Sequence, residues 1–81
     1  MYDIKLNTNT IFGGKMKVII LLKEIRKEMN ISLEELSKLS GISKSHLSYI
    51  ERQEKEPTLT ILIKIAKALN IDIKDLYEVE W

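Results

Sequence analysis

Hydrophobic residues recur with a helical period from residue 17 onwards. Apolar side chains lie three or four positions apart at Val18, Leu22, Ile25 and Met29. This spacing places them on one face of a helix. It predicts a first helix over residues 17–29.

Two short helices are predicted next, from their capping residues. Ser32 and Glu35 form a capping box, in which the serine hydroxyl and the glutamate carboxylate each accept a backbone N–H of the other residue. Gly41 can adopt the left-handed conformation that ends a helix. Ser43 offers a further N-cap, which predicts a third helix through about Arg52.

The remaining pattern predicts two more helices. Pro57 and Thr58 separate the third helix from a fourth, whose apolar stripe has steps of three, four and three residues. That stripe consists of Leu59, Leu62, Ala66 and Leu69. A short fifth helix opens at Asp72 and buries Ile73 and Leu76. The expected fold is therefore all-α, a compact bundle of about five short helices with no strand required inside the domain.

The first 16 residues follow a different pattern. Apolar and polar residues alternate over residues 2–6, and two adjacent glycines then break the chain. A short strand, a flexible arm or an appendage to a domain that starts at Met16 would each fit. We expect an N-terminal leader or arm (1–16), one domain (17–78) and a C-terminal tail (79–81).

Composition narrows the possible functions. The chain has 81 residues, of which 44% are apolar and 31% charged, as expected for one folded domain. It has no cysteine, and a lone His46 cannot supply a metal site, so no metal and no cofactor are predicted. No paired carboxylates, activated nucleophile or glycine-rich phosphate loop are recognisable, which disfavours an enzyme. The apolar run at residues 18–22 is too short to span a bilayer and has no cleavage site after it, so we expect a cytoplasmic protein without a membrane partner.

Charge is segregated along the chain although the net charge is only +1. Residues 72–81 carry a local charge of −3, whereas residues 1–71 carry +4. One end of the molecule can therefore face phosphates while the other end does not.

The second and third predicted helices have the arrangement of a helix-turn-helix, over roughly residues 32–53. Two helices joined by a glycine turn, the second capped by a small hydroxyl residue, form this unit, and its second helix enters the major groove of DNA. The spacing alone also fits a helical bundle without DNA-binding function.

The residue pattern favours DNA binding, because it strongly resembles the Cro and phage-repressor type of helix-turn-helix proteins, also called the xenobiotic-response-element family. The resemblance runs from about residue 21 to residue 76. It is carried by SLEELS at 32–37, GISKSHLSYIER at 41–52, PTL at 57–59 and LIKIAKAL at 62–69. It implies a lambda-repressor-like bundle of four or five helices that binds double-stranded operator DNA as a homodimer.

Two residues depart from the family pattern. Leu33 stands where the family commonly has a glutamine that helps to fix a phosphate; a phosphate could still use the free backbone N–H groups at the start of that helix. Gln53 stands where the family prefers glycine, so we expect a less tight turn after the third helix. Both changes bear on the affinity for DNA.

The family register implies three base-reading residues. Lys44 can donate to guanine O6 and N7, Ser45 can form hydrogen bonds with several bases, and Tyr49 can contact a thymine methyl group or a phosphate. The alternative is that all three are ordinary solvated helix positions.

The resemblance also implies contacts with the DNA backbone, which we assign to Ser43, His46, Arg52 and Lys55. Cations near the end of the third helix would also interact favourably with its negative end. His46 could instead pack against the second helix. The nearby carboxylates of Glu54 and Glu56 should make the electrostatic attraction modest.

Other residues are assigned structural roles. Leu47 and Ile50 should face the core, and Arg26 and Glu51 match a pair that forms an internal ion pair in the family. The fourth and fifth helices and the tail hold more apolar residues than a small core needs, and such a surplus commonly marks an interface. An extended core or an aromatic lid could absorb part of it. We expect a dimer interface at Ile61, Ile63, Tyr77, Val79 and Trp81.

The sequence therefore predicts a transcriptional regulator, interpreted as a repressor, that binds a palindromic operator as a dimer. The alternative is an antitoxin or protein-interaction module that neutralises a co-encoded partner protein and binds DNA only for autoregulation.

Overall fold

The computed structural model describes residues 16–81, and residues 1–15 of the predicted leader lie outside the described part. The described chain forms four α-helices, one 3₁₀ helix and a two-stranded sheet. In chain order these are β1 (Lys17–Ile20), α1 (Leu22–Glu28), α2 (Leu33–Ser40), α3 (Lys44–Glu51), α4 (Leu59–Leu69), the 3₁₀ helix (Ile73–Leu76) and β2 (Tyr77–Glu80). The helix-turn-helix architecture is confirmed, but the all-α bundle of about five helices is met only in part. The fifth predicted helix is the 3₁₀ helix, and the described residues also form a two-stranded sheet.

The start of the first predicted helix is a strand instead. β1 pairs antiparallel with β2, with Val18 opposite Val79, and α1 begins only at Leu22. Residues 18–20 are three consecutive β-branched side chains, which favour a strand once a partner is present. The partner comes from the far end of the chain, and the predicted tail at 79–81 is therefore largely part of β2.

The local signals around the helix-turn-helix are confirmed. The Ser32 hydroxyl accepts from Glu35 N–H at 3.0 Å, and the Glu35 carboxylate accepts from Ser32 N–H at 3.0 Å. Gly41 ends α2 with φ of 76°, in the left-handed region. The Ser43 hydroxyl then caps α3 by accepting from His46 N–H at 3.1 Å.

One hydrophobic core lies between the helices and one face of the sheet. Its buried residues are Ile20, Leu22, Leu36, Ile42, Leu47, Ile50, Ile65, Ala66, Leu69 and Leu76. Leu47 and Ile50 are fully buried, as predicted, and they anchor α3. Contrary to the predicted stripe, Leu59 does not belong to this core and is 66% exposed. It is the first residue of α4, and the part of the helix that packs on the core begins after it.

Candidate nucleic-acid interface

The helix-turn-helix presents one face of α3 to solvent. Leu47 and Ile50 hold the opposite face against the core, while Lys44, Ser45 and Tyr49 are exposed. Because the α3 backbone is fixed by buried contacts, these three side chains project from a rigid support.

Two open concavities flank this exposed face. The first, of about 340 Å³, is lined by Leu33, Lys44, Ser45, Ser48, Tyr49 and Arg52. The second, of about 600 Å³, is lined by Ser43, Ser45, His46, Tyr49, Glu54 and Lys55. Ser45 and Tyr49 line both concavities, so the exposed face of α3 that carries Lys44, Ser45 and Tyr49 forms the ridge between them. The structure thus brings all seven residues predicted to contact DNA to one surface.

The residues assigned to the DNA backbone lie along the edges of this surface. Ser43 is exposed, and its hydroxyl keeps an O–H available for donation while its oxygen caps α3. His46 is half-buried, and Lys55 is exposed in the loop that follows α3. Together with Arg52, these residues supply one hydroxyl, one imidazole and two cations that can contact an acidic backbone.

Arg52, at the end of α3, is held by neighbouring side chains. Its Nη1 donates to Ser48 Oγ at 2.6 Å, and its Cζ lies 5.1 Å from the centroid of the Tyr49 ring. Its Nε and Nη2 donate to the two carboxylate oxygens of Glu54 at 2.9 and 3.4 Å. The hydrogen bond to Glu54 raises the pKa of Arg52 above its ordinary value.

Leu33 gives the first concavity an apolar wall. Its side chain is half-buried, packs against the core and also lines the concavity beside Arg52. It has no group that could bind a phosphate. The capping box already uses the N–H groups of Ser32 and Glu35. The free backbone donors that remain at this helix start are therefore those of the two residues between them.

The turn after α3 closes tightly, contrary to the expectation from Gln53. Gln53 adopts φ of 58°, its N–H donates to Ile50 O at 3.0 Å, and Glu54 N–H donates to Tyr49 O at 3.2 Å. These two bonds are those of a Schellman motif, which usually places glycine at this position. Glutamine therefore accepts a left-handed conformation that is unfavourable for a side chain with a Cβ.

A contact that sequence reasoning missed accompanies this conformation. The Gln53 side-chain Oε1 accepts from the Ile20 N–H of β1 at 3.2 Å. The backbone conformation costs energy, and the hydrogen bond offsets it by satisfying a donor on the edge of the sheet. No sequence signal predicted it, because β1 itself was expected to be helical.

The ion pair expected between Arg26 and Glu51 is present in the structure. Arg26 Nε donates to Glu51 Oε2 at 2.7 Å, and Nη2 donates to Oε1 at 3.1 Å. Arg26 Nη1 also donates to Ile31 O at 3.0 Å. The hydrogen bond to Glu51 raises the pKa of Arg26, and the two side chains are only 13% and 6% exposed. The pair joins α1 to the helix that carries the exposed face.

The residues expected at a dimer interface differ in exposure. Ile61 packs against the core, and Val79 lies opposite Val18 in the sheet. Part of the surface of Ile61 and of Val79 is therefore already buried within the fold. Tyr77 is exposed, Ile63 is 50% exposed and Trp81 is 90% exposed. The exposed Leu59, one turn before Ile63, extends this apolar surface of α4, although the periodicity had assigned it to the core.

A capped pair of short helices, with the second held by one face and open on the other, defines a helix-turn-helix protein. The chain belongs to the helix-turn-helix family, because the sequence model of that family matches residues 22–76. The resemblance that was predicted from the motifs is therefore confirmed.

Individual relatives agree with this assignment. The chain is 44% identical over 50 residues to the HTH-type transcriptional regulator SutR of Escherichia coli (strain K12), an alignment that covers 62% of this chain and 28% of the relative. It is 36% identical over 55 residues to the Control protein C.SmaI of Serratia marcescens, with 68% and 66% covered. The chain therefore spans between about a quarter and two thirds of these curated relatives.

A solved structure has the same fold. The crystal structure of the transcriptional regulator VanUg (form II) matches with a TM-score of 0.68 and 25% identity, covering 86% of this chain and 93% of that chain. Over residues 16–81, no helix is long and apolar enough to cross a membrane. The same part of the chain contains no cluster of three or more side chains that could hold a metal ion.

Proposed function

We propose that this protein is a transcriptional regulator that binds double-stranded DNA in a sequence-specific manner. The observation that carries the proposal is the exposed ridge of α3, on which Lys44, Ser45 and Tyr49 project from a helix anchored by Leu47 and Ile50. The relatives named as transcriptional regulators support it. In this proposal α3 enters the major groove.

Each ridge residue has a chemical role in this arrangement. The Lys44 ammonium donates to guanine O6 and N7, and the Ser45 hydroxyl donates to or accepts from a base edge. The Tyr49 ring contacts a thymine methyl group or lies against a phosphate. Along the edges, Ser43, His46, Arg52 and Lys55 bind the phosphates and fix the register of α3.

A base contact is tested by comparing specific and random DNA. The site itself is located first, by footprinting the protein on the DNA upstream of its own gene. Lys44→Ala should then weaken binding to this site by about 1–3 kcal/mol and binding to a random duplex by less. Lys64→Ala is the matched control, because Lys64 is an exposed lysine on α4 that lies on neither concavity of α3. Equal losses on both duplexes would make Lys44 a phosphate contact, and the absence of any footprint or duplex binding would contradict the proposal.

We further propose that the protein acts as a repressor dimer on a palindromic operator. One recognition helix reads only a few base pairs, whereas a two-fold dimer presents two such helices about 34 Å apart to successive major grooves. Exposed Leu59, Ile63 and Trp81 supply apolar surface for the contact. The acidic segment 72–81 would be repelled by phosphates, which favours a dimer contact at that end.

Sedimentation at micromolar concentration tests the dimer. Trp81→Ala and Ile63→Ser should shift the protein towards monomer and weaken binding to a palindromic site, while circular dichroism stays that of the folded protein. Leu39→Ser is the matched control, because Leu39 is 60% exposed but lies on α2. A wild-type monomer that binds the palindromic site with affinity unchanged by Trp81→Ala would refute the interface.

A further inference from the structure

The bonding of Arg52 has a consequence for DNA binding beyond a simple phosphate contact. A guanidinium binds a phosphate best through two parallel N–H donors on one edge. In Arg52 the edge formed by Nε and Nη2 is already engaged by both carboxylate oxygens of Glu54, at 2.9 and 3.4 Å. A phosphate on this edge must therefore displace Glu54.

We propose that Glu54 is an intramolecular competitor of DNA, which occupies the phosphate-binding edge of Arg52 in the free protein and so lowers the affinity and the salt dependence of binding. This inference rests on the proposed function. It goes beyond a general dilution of positive charge, because it requires that Glu54 acts through Arg52.

The geometry fits a competitor that can leave. The side chains of Arg52 and Glu54 are 53% and 49% exposed, and ion pairs at such sites are weak. The Ser48 hydroxyl bond at 2.6 Å and the Tyr49 ring remain after Glu54 moves away, so the guanidinium stays on the surface of α3. The Nε and Nη2 edge of Arg52 thus becomes available to a phosphate without the entropic cost of ordering a free side chain.

A random duplex suffices for the main test, because a phosphate contact does not depend on sequence. Glu54→Ala should tighten binding about two- to fivefold, the range expected for opening an exposed ion pair. The slope of log affinity against log salt should steepen by up to about 0.9, as one more phosphate is neutralised. Glu54→Gln removes the charge at constant size and should change affinity and slope in the same direction.

Two comparisons distinguish competition for Arg52 from the general effect of removing one negative charge near the DNA. Glu56→Ala removes a carboxylate from the same loop, and within residues 16–81 Arg52 pairs with Glu54 and not with Glu56. It should tighten binding less than Glu54→Ala does. In an Arg52→Ala background, the gain from Glu54→Ala should fall to the level of Glu56→Ala.

The outcomes are distinct. The competition would be overturned if Glu54→Ala increased the affinity equally with and without Arg52. It would also be overturned if the wild-type protein bound duplex DNA and Glu54→Ala did not increase that affinity. In both cases the proposed function would stand. If the wild-type protein bound neither its upstream DNA nor a random duplex, both the competition and the proposed function would fail. A gain confined to the specific site would make Arg52 a base contact and overturn the phosphate assignment.

Discussion

Replacing Arg26 should reveal how strongly the fold of the helix-turn-helix depends on one ion pair. Arg26→Met removes two hydrogen bonds to Glu51 and one to Ile31 O. It leaves a carboxylate that is only 6% exposed without its partner. Stranding such a charge costs about 3–5 kcal/mol. A domain of this size has a stability on the order of 5–10 kcal/mol, so the loss should be a large fraction of the total.

A double-mutant cycle with Glu51→Leu separates this penalty from the intrinsic value of the pair. Replacing a buried ion pair by apolar residues of similar size is often close to neutral, so the double variant should be more stable than Arg26→Met alone. We expect a coupling energy of about 2–3 kcal/mol. Urea denaturation followed by circular dichroism gives the four stabilities, and Arg26→Lys provides a milder variant should Arg26→Met be unfolded in buffer.

The exposed pair Arg52 and Glu54 is the matched control, since it also joins an arginine to a glutamate near the end of α3. Its side chains are about half exposed, so the same cycle should leave the urea midpoint nearly unchanged. If the losses at Arg26 and Glu51 were instead additive within about 0.5 kcal/mol, the pair would not be an energetic link between α1 and α3.

Three further predictions concern other parts of the molecule. Lys55→Ala should lower the salt slope of DNA binding by about one unit on specific and random duplexes alike, as measured by titration at several salt concentrations. Gln53→Ala should destabilise the fold by about 1–2 kcal/mol in urea, because it loses the hydrogen bond to Ile20 and keeps the left-handed backbone. Gln53→Gly should be about 1 kcal/mol more stable than Gln53→Ala, because glycine adopts this backbone conformation without strain. In thermal unfolding, Leu69→Ala should lower the free energy of unfolding by about 2–5 kcal/mol, and Leu59→Ala, at an exposed residue, by less than about 0.5 kcal/mol. Equal losses would mean that Leu59 belongs to the core, as the periodicity predicts.

The features that sequence predicted well are those encoded by residues close together in the chain. The capping box joins Ser32 to Glu35, the Ser43 cap acts on an N–H three residues later, and Gly41 ends α2 through its own backbone conformation. Such signals depend on side chains within one turn, and they need no knowledge of the tertiary fold. These signals define α2, α3 and the turn between them, whereas the choice of Lys44, Ser45 and Tyr49 as the exposed ridge came from the family register.

The features that sequence missed depend on distant partners or on side-chain conformation. β1 is a strand because β2 lies beside it, and the same residues satisfy a helical spacing when considered alone. The pairing of Arg52 with Glu54 requires a particular arrangement of two exposed side chains that residue types do not specify. Leu59 fits the apolar stripe but lies beyond the part of α4 that the core covers.

The C-terminal strand is connected to the recognition helix through a short chain of contacts. β2 pairs with β1, the Ile20 N–H of β1 donates to Gln53, and the backbone of Gln53 closes α3. Deleting the last residues would remove part of β2 and so weaken the support of α3 even in a monomer. A loss of DNA binding after truncation therefore cannot by itself demonstrate a dimer. Trp81→Ala can separate the two effects, because Trp81 is 90% exposed and lies just beyond β2.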